Sequence, residues 1–299
     1  MKAEPQTFAG PSRLARYASF VKLPHTVFAL PFALVGVVLA SYQRVPDVAT
    51  LGWVVVAFTA ARFAAMGFNR IADRDVDAAN PRTAMRELPS GALGLREAQL
   101  SVAVASVLFV GAAAALNRLC LWLSPVALAW VFFYSYTKRF TRWSHLVLGL
   151  GLGIAPVGGY LAVTGAWSRP WWLIGTLSLA VMAWSGGFDV LYALQDEAFD
   201  RAAGLHSLPA ALGPAGAIRV ARVLHVTAVA LLGVVAMAAP GGHAWLLAGV
   251  GVVAALLAYE HSMVRADDLS KLDAAFFTMN GIISIAFLAF ALVARAAAR

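Results

Sequence analysis

Nine apolar runs, each close to the length that crosses a bilayer, leave this chain few folds to choose from. They fall at Val21–Ser41, Val48–Phe68, Ala98–Leu116, Leu119–Thr137, His145–Thr164, Trp171–Leu191, Arg219–Ala239, Ala244–Tyr259 and Ala275–Ala294. About 20 apolar residues cross about 30 Å of hydrocarbon. Inside lipid each backbone polar group must be satisfied within its own segment or a closed barrel. The runs therefore predict an all-α membrane protein with about nine transmembrane helices in one bundle. Composition agrees: 61% of the 299 residues are hydrophobic and 13% charged, whereas soluble domains carry about 25% charged residues. The first run has a basic flank (Arg13, Arg16, Lys22) like a signal peptide, but it contains Pro31 and eight further runs follow. It is read as a retained span. Residues 1–20 are read as a cytoplasmic segment and 21–299 as one nine-helix domain.

The charges orient the bundle. With the N-terminus in the cytoplasm, 17 of the 23 basic residues lie on the inner side, as the positive-inside rule requires. Arg62 lies within a span. Trp53, Trp122, Trp167, Trp171, Trp172 and Trp245 fall near the outer ends, where an interfacial aromatic belt belongs. The net charge of +8 is thus assigned to cytoplasmic loops and not to nucleic-acid binding. One cysteine, Cys120, excludes a disulfide framework, and the six histidines have no metal-ligand spacing.

Carboxylates hardly influence topology, yet 14 of 15 lie on the inner side and only Asp47 outside. A site on the cytoplasmic face explains that bias. Asn69, Asp73 and Asp77 are spaced four apart at the end of the second run. On a helix they share a face, while Asp75 points elsewhere. Asp189, Asp196 and Asp200 end the sixth run at spacings of seven and four, with Tyr192 beside them. Two such stripes repel each other and are expensive at membrane depth. Divalent cations relieve both problems, and an all-oxygen ligand set suits Mg2+, which commonly binds one or two carboxylates plus substrate phosphates. Basic residues follow: Arg82 and Arg86 after the Asn80-Pro81 stop, and Lys138 and Arg139 after the fourth run. Arg and Lys suit phosphate. Together these groups describe a diphosphate site beside a greasy interior, as ionisation of an allylic diphosphate needs.

At these residues the sequence resembles the UbiA family of intramembrane prenyltransferases. That family carries N-D-x-x-D-x-x-x-D on its second helix and D-x-x-x-D after its sixth. Here the motifs read Asn69-Arg70-x-x-Asp73-x-x-x-Asp77 and Asp196-x-x-x-Asp200, with a family-like Asp189-x-x-Tyr192 upstream. The Arg82-Thr-x-x-Arg86-x-Leu-Pro-Ser-Gly91 stretch and Tyr134-x-x-x-Lys138-Arg139 also match. Arg70 stands where the family usually has Asp, and Ser135 where it usually has Pro. The likeness covers almost the whole chain. It implies one Mg2+ held by Asn69, Asp73 and Asp77, a second held by Asp196 and Asp200, and a diphosphate neutralised by Arg82, Arg86, Lys138 and Arg139. Asp189 or Tyr192 would position the acceptor, and Lys22 or His25 would meet its carboxylate.

The implied reaction is Mg2+-dependent transfer of a polyprenyl group from a polyprenyl diphosphate to a small hydroxy-aromatic acid, through an allylic carbocation, in respiratory quinone synthesis. The prenyl tail would lie between helices, open sideways to membrane lipid, in the cell (inner) membrane. The Val21–Phe32 stretch is similar to a bacterial branch that prenylates 4-hydroxybenzoate, part of which uses 1,4-dihydroxy-6-naphthoate. Two alternatives stay open at this level: another acceptor within the family, and an ion-coupled membrane transporter using intramembrane acids.

Overall fold

A computed structural model describes residues 12–22, 26–269, 272 and 278–298. Helices account for the regular structure among them, with no strand: α1 Arg13–Phe20, α2 Thr26–Ala40, α3 Val48–Ala72, α4 Arg74–Ala79, α5 Leu95–Leu116, α6 Arg118–Thr137, α7 Ser144–Thr164, α8 Leu173–Tyr192, α9 Glu197–Ala202, α10 Leu208–Ala238, α11 His243–Met263 and α12 Asn280–Ala297. Eight of the described helices are long and apolar enough to cross a membrane. The first apolar run differs. Its helix α2 has 15 residues, about 22 Å at 1.5 Å per residue, and Leu23–His25 before it lie outside the described residues.

Local chemistry explains the other boundary shifts. The break between α5 and α6 is one residue, because the Asn117 side chain accepts from Cys120 N at 2.9 Å and donates to Leu161 O at 2.9 Å. α10 begins at Leu208 and not at Arg219, since Ser207 caps it (3.3 Å to Ala210 N) and Pro209 occupies its first turn. It then kinks at Gly213, whose φ of 69° is open to glycine, just before Pro214 bars α geometry.

Two rings of helices share α2 and α7. One runs α2, α7, α8, α10, α11, α12 and back to α2. Its centre is filled by Trp184, Phe188, Phe32 and Phe287, with Phe32 and Trp184 ring centroids 4.8 Å apart. The other runs α2, α3, α5, α6 and α7, and its centre is open. The shared helices touch through backbone. A Cβ on Gly36 or Gly159 would run into the carbonyl oxygens of Pro156 and Ala33, and one on Gly153 into that of Ser178. Small residues permit such approach where lipid supplies no hydrophobic drive between helices.

The acidic motifs sit at the end of the bundle formed by the C-termini of α3, α6 and α8 and the N-termini of α5, α7 and α10. The six tryptophans of the expected outer belt are all exposed and lie towards the other end of their elements.

Candidate active site

α3 ends at Asp73, where the backbone turns slightly (φ −97°, ψ 7°) and restarts as α4. The i to i−4 bonds nevertheless continue: Asp73 N donates to Asn69 O at 2.9 Å and Asp77 N to Asp73 O at 2.7 Å. Asn69, Asp73 and Asp77 therefore stay on one side, and Asn69 Nδ2 donates to Asp73 Oδ2 at 3.1 Å. Asp75 points to solvent, 86% exposed, and pairs with Arg74.

The second stripe is not one helical face. α8 stops at Tyr192, a 3-10 turn spans Ala193–Asp196, and α9 restarts at Glu197. The tighter turn breaks the seven-residue register between Asp189 and Asp196. All three acids still line the same cavity, each with its own partner. Asp189 Oδ2 lies 2.7 Å from His145 Nδ1. Asp196 accepts from Arg82 Nε at 2.8 Å, from Arg82 Nη2 and from Asn80 Nδ2 at 2.9 Å. Asp200 lies beside Ser207 at the cavity wall.

The loop after α4 joins the stripes. Asn80 Oδ1 takes the Arg82 backbone N–H at 2.9 Å, and Thr83 Oγ1 donates to Asp77 O at 3.0 Å. That fold sends Arg82 across to Asp196 and returns Arg86 to Asp77 at 2.7 Å. From α6, Lys138 Nζ reaches Asp73 Oδ2 at 2.9 Å. Arg139 approaches from outside the cavity, at 2.6 Å from Ala72 O and 3.4 Å from Asp73 Oδ1. Basic side chains thus offset the repulsion that sequence reasoning assigned to cations alone. Arg70, in place of the usual Asp, is buried, donates to Phe20 O and lies 3.9 Å from Asp77 Oδ2.

Lys22 lines this cavity too, with Nζ 5.7 Å from the Tyr192 ring centre. Burial first, then the Arg70, Arg86 and Arg82 guanidiniums, hold its ammonium well below the usual lysine range. Arg82 moves the other way: burial opposes its charge, but the hydrogen bonds and charge of Asp196 outweigh it. Tyr192 serves the same cations. Its hydroxyl accepts from Arg82 Nη1 at 3.3 Å and its ring lies 5.4 Å from the guanidinium. His25 lies outside the described residues.

The polar cavity encloses about 230 Å³. Above it, inside the open ring, an apolar chamber of about 390 Å³ runs along α6 from Tyr134 to Cys120, about 21 Å of helix. The two share Arg62, Met66, Tyr134, Leu148 and Leu152 as a neck. Sequence reasoning missed Arg62 as a site residue, although an Arg within a span is by default a functional candidate. Its Nε is buried without a hydrogen-bond partner, as are Asp77 Oδ2 and Ser135 Oγ, and all three residues line the polar cavity. Buried polar atoms nearly always have partners, so these three are poised for a ligand.

The donor set fits divalent metal. Asn69, Asp73, Asp77, Asp196 and Asp200 each offer side-chain oxygen and line one cavity, with Asp77 Oδ2 free of hydrogen bonds. Among the described residues no three His, Cys, Asp or Glu side chains close on one point. Mg2+ commonly takes one or two protein carboxylates and completes its shell with substrate phosphate oxygens.

Comparison with known proteins follows the same lines. Residues 29–293 match the UbiA prenyltransferase family. The chain is 32% identical to the 4-hydroxybenzoate octaprenyltransferase of Aromatoleum aromaticum over 76% of each chain. It is 30% identical to the enzyme of that name from Yersinia pseudotuberculosis, over 82% of this chain and 84% of that one. The apo structure of a UbiA homologue from Aeropyrum pernix superposes with TM-score 0.80 at 34% identity, covering 90% of this chain and 97% of the other. A UbiA homologue from Archaeoglobus fulgidus bound to DMAPP and Mg2+ shares the fold with TM-score 0.74 at 20% identity, covering 93% and 98%. With the nine apolar runs, the two acidic motifs and the chamber between helices, these matches settle one point: this multi-pass membrane protein belongs to the UbiA prenyltransferase family.

Proposed function

We propose that the chain transfers a prenyl group from a polyprenyl diphosphate to the ring of a 4-hydroxybenzoate-type acid at the cytoplasmic face of the cell membrane. The observation that carries this reading is the neck: a half-buried arginine whose buried Nε has no hydrogen-bond partner, between a basic and acidic cavity and a long apolar chamber. The names of the relatives and the ligands of the Archaeoglobus homologue support it.

In this reading the tail occupies the chamber and the diphosphate the polar cavity. Asn69, Asp73 and Asp77 would hold one Mg2+ and Asp196 and Asp200 the other. Bound there, the metals would neutralise phosphate oxygens and make the diphosphate a better leaving group. Arg82, Arg86 and Lys138 gather charge on the same group, and Arg139 braces the end of α3 behind Lys138. Lys22, surrounded by Arg70, Arg82 and Arg86, belongs with the diphosphate and not with the acceptor. Arg62 takes the acceptor's carboxylate, which suits its forked donors. Asp189, which pairs with His145, faces the acceptor ring. The allylic C–O bond breaks with its electron pair leaving on diphosphate. The allyl carbon bonds the ring carbon beside the hydroxyl, and the displaced ring proton passes to Asp189. Apolar walls at Met66, Leu148 and Leu152 exclude water from the cation.

The test is transfer from geranyl diphosphate by purified protein, with and without Mg2+, offering 4-hydroxybenzoate and 1,4-dihydroxy-6-naphthoate in parallel. Mg2+-dependent product with the benzoate is expected. Product with the naphthoate alone keeps the chemistry and moves the acceptor. No product from folded protein with either acid overturns the aromatic-acid reading.

A further inference from the structure

His145, in the first turn of α7, has no part in the diphosphate site, yet it lines the same cavity. Its Nδ1 lies 2.7 Å from Asp189 Oδ2, and its Nε2 faces the Leu208 backbone N–H at 3.4 Å. The backbone N–H can only donate, so Nε2 accepts and the ring proton sits on Nδ1. The tautomer is therefore set by the start of α10, and Nδ1–H donates to Asp189. The His145 side chain is 5% exposed and that of Asp189 is 23% exposed. One carboxylate oxygen is held and the other is left to the cavity. Small residues make this contact possible: a Cβ on Gly186 would come within 3.3 Å of the His145 carbonyl oxygen, so α7 and α8 run close here.

We propose that His145 is a positioning residue for Asp189. It rests on the reading above that Asp189 serves the acceptor. Donation from Nδ1 fixes which oxygen meets the ring. When the prenylated ring loses its proton, the C–H electron pair returns to the aromatic system and the proton goes to the free Asp189 oxygen. His145 holds the other oxygen throughout, so the carboxylate does not swing away towards Tyr134 or the cations of the diphosphate site. No oxidant or further reactant is needed. The logic is that of a base oriented by a third group.

A different role is equally concrete: His145 as a tie between α7 and α10 through Leu208. Two near-isosteric variants separate the roles. In His145→Asn the amide reaches the place of Nδ1 and can still donate to Asp189. In His145→Gln the amide reaches the place of Nε2 and can keep only the tie to Leu208. The experiment uses the full purified chain with Mg2+, geranyl diphosphate and 4-hydroxybenzoate. It measures kcat, the KM for each substrate, thermal melting, and hydrolysis of geranyl diphosphate without acceptor. Loss of a hydrogen bond to a charged group lowers transfer about ten- to a hundredfold. That loss is expected in His145→Gln, with the KM for geranyl diphosphate and the acceptor-free hydrolysis within about twofold of the parent, a span that normal scatter between contacts allows. His145→Asn should retain most of the transfer rate. On an Asp189→Asn background, His145→Gln should cost nothing further. The reverse order, with Gln active and Asn impaired, overturns the proposal, and so does a parallel loss of hydrolysis and transfer. A parent protein that hydrolyses geranyl diphosphate but prenylates neither acid overturns instead the acceptor reading beneath it.

Discussion

Arg62 carries the residue-scale argument, because a lone guanidinium in a span is retained only where something compensates it. A hydrogen-bonded charge contributes about 1.5–3 kcal/mol. Arg62→Leu should therefore raise the KM for the acceptor acid about ten- to a hundredfold and leave that for geranyl diphosphate unchanged. A rise in the diphosphate KM instead would put Arg62 on the donor side. The acids sort the same way. Asp73→Ala, Asp77→Ala, Asp196→Ala and Asp200→Ala should each cut turnover about a hundredfold or more. Asp75→Ala should keep most of it, since Asp75 is 86% exposed; an equal loss there would sink the shared-face argument. Lys22 gives a pH test. Diphosphate binding favours its ammonium form, and that form is lost at lower pH than in an ordinary lysine. The KM for geranyl diphosphate should rise as pH climbs through that depressed range, and Lys22→Arg should flatten the rise.

Between elements, stability depends on how closely helices approach. Gly159→Leu would place a side chain against the Ala33 carbonyl oxygen and force α2 off α7. Overpacking costs about 1–3 kcal/mol where neighbours can yield, and backbone yields least. The variant should melt lower in detergent or fail to accumulate as monodisperse protein; an unchanged melt would mean that the two helices have slack. Asp47 is the opposite case. It caps α3 by accepting from Thr50 N at 2.7 Å, which lowers its carboxyl below the usual range. Its contribution to stability is present above the ordinary Asp range and fades as pH falls through the lowered pKa. Because Asp47 sits at the far end of α3 from the acidic cavity, Asp47→Ala should leave turnover intact and lower the melting temperature slightly.

At the scale of the whole molecule, one ring is packed solid and the other is hollow, and the hollow one holds the chamber. A Cβ on Gly158 meets open space, and Gly158 lines that chamber. Gly158→Trp should therefore penalise long prenyl donors more than geranyl diphosphate; equal loss for both would show that the tail runs elsewhere. Each helix that forms the hollow ring was visible as an apolar run. The hollow was not, because no periodicity in Val48–Ala72 or Arg118–Thr137 distinguishes a face turned to a cavity from a face turned to lipid. The site shows the same limit. Asn69, Asp73 and Asp77 keep their i,i+4 spacing into space because backbone bonds run on through Asp73. Asp189 and Asp196 lose their shared face at the 3-10 turn, which spacing alone could not reveal. Arg139 and Lys22 exchanged their expected surroundings for the same reason: a charge in a loop goes where the loop folds.

The sequence alone therefore determined the class of fold and the end of the bundle where the acidic and basic side chains gather. Apolar length and charge asymmetry are local properties, and lipid enforces them strictly. Only the tertiary structure decided which cation meets which acid, that Arg62 guards the neck, and that His145 holds Asp189. The His145–Asp189 and Arg82–Asp196 pairings join residues 44 and 114 positions apart, and no local pattern carries such distances.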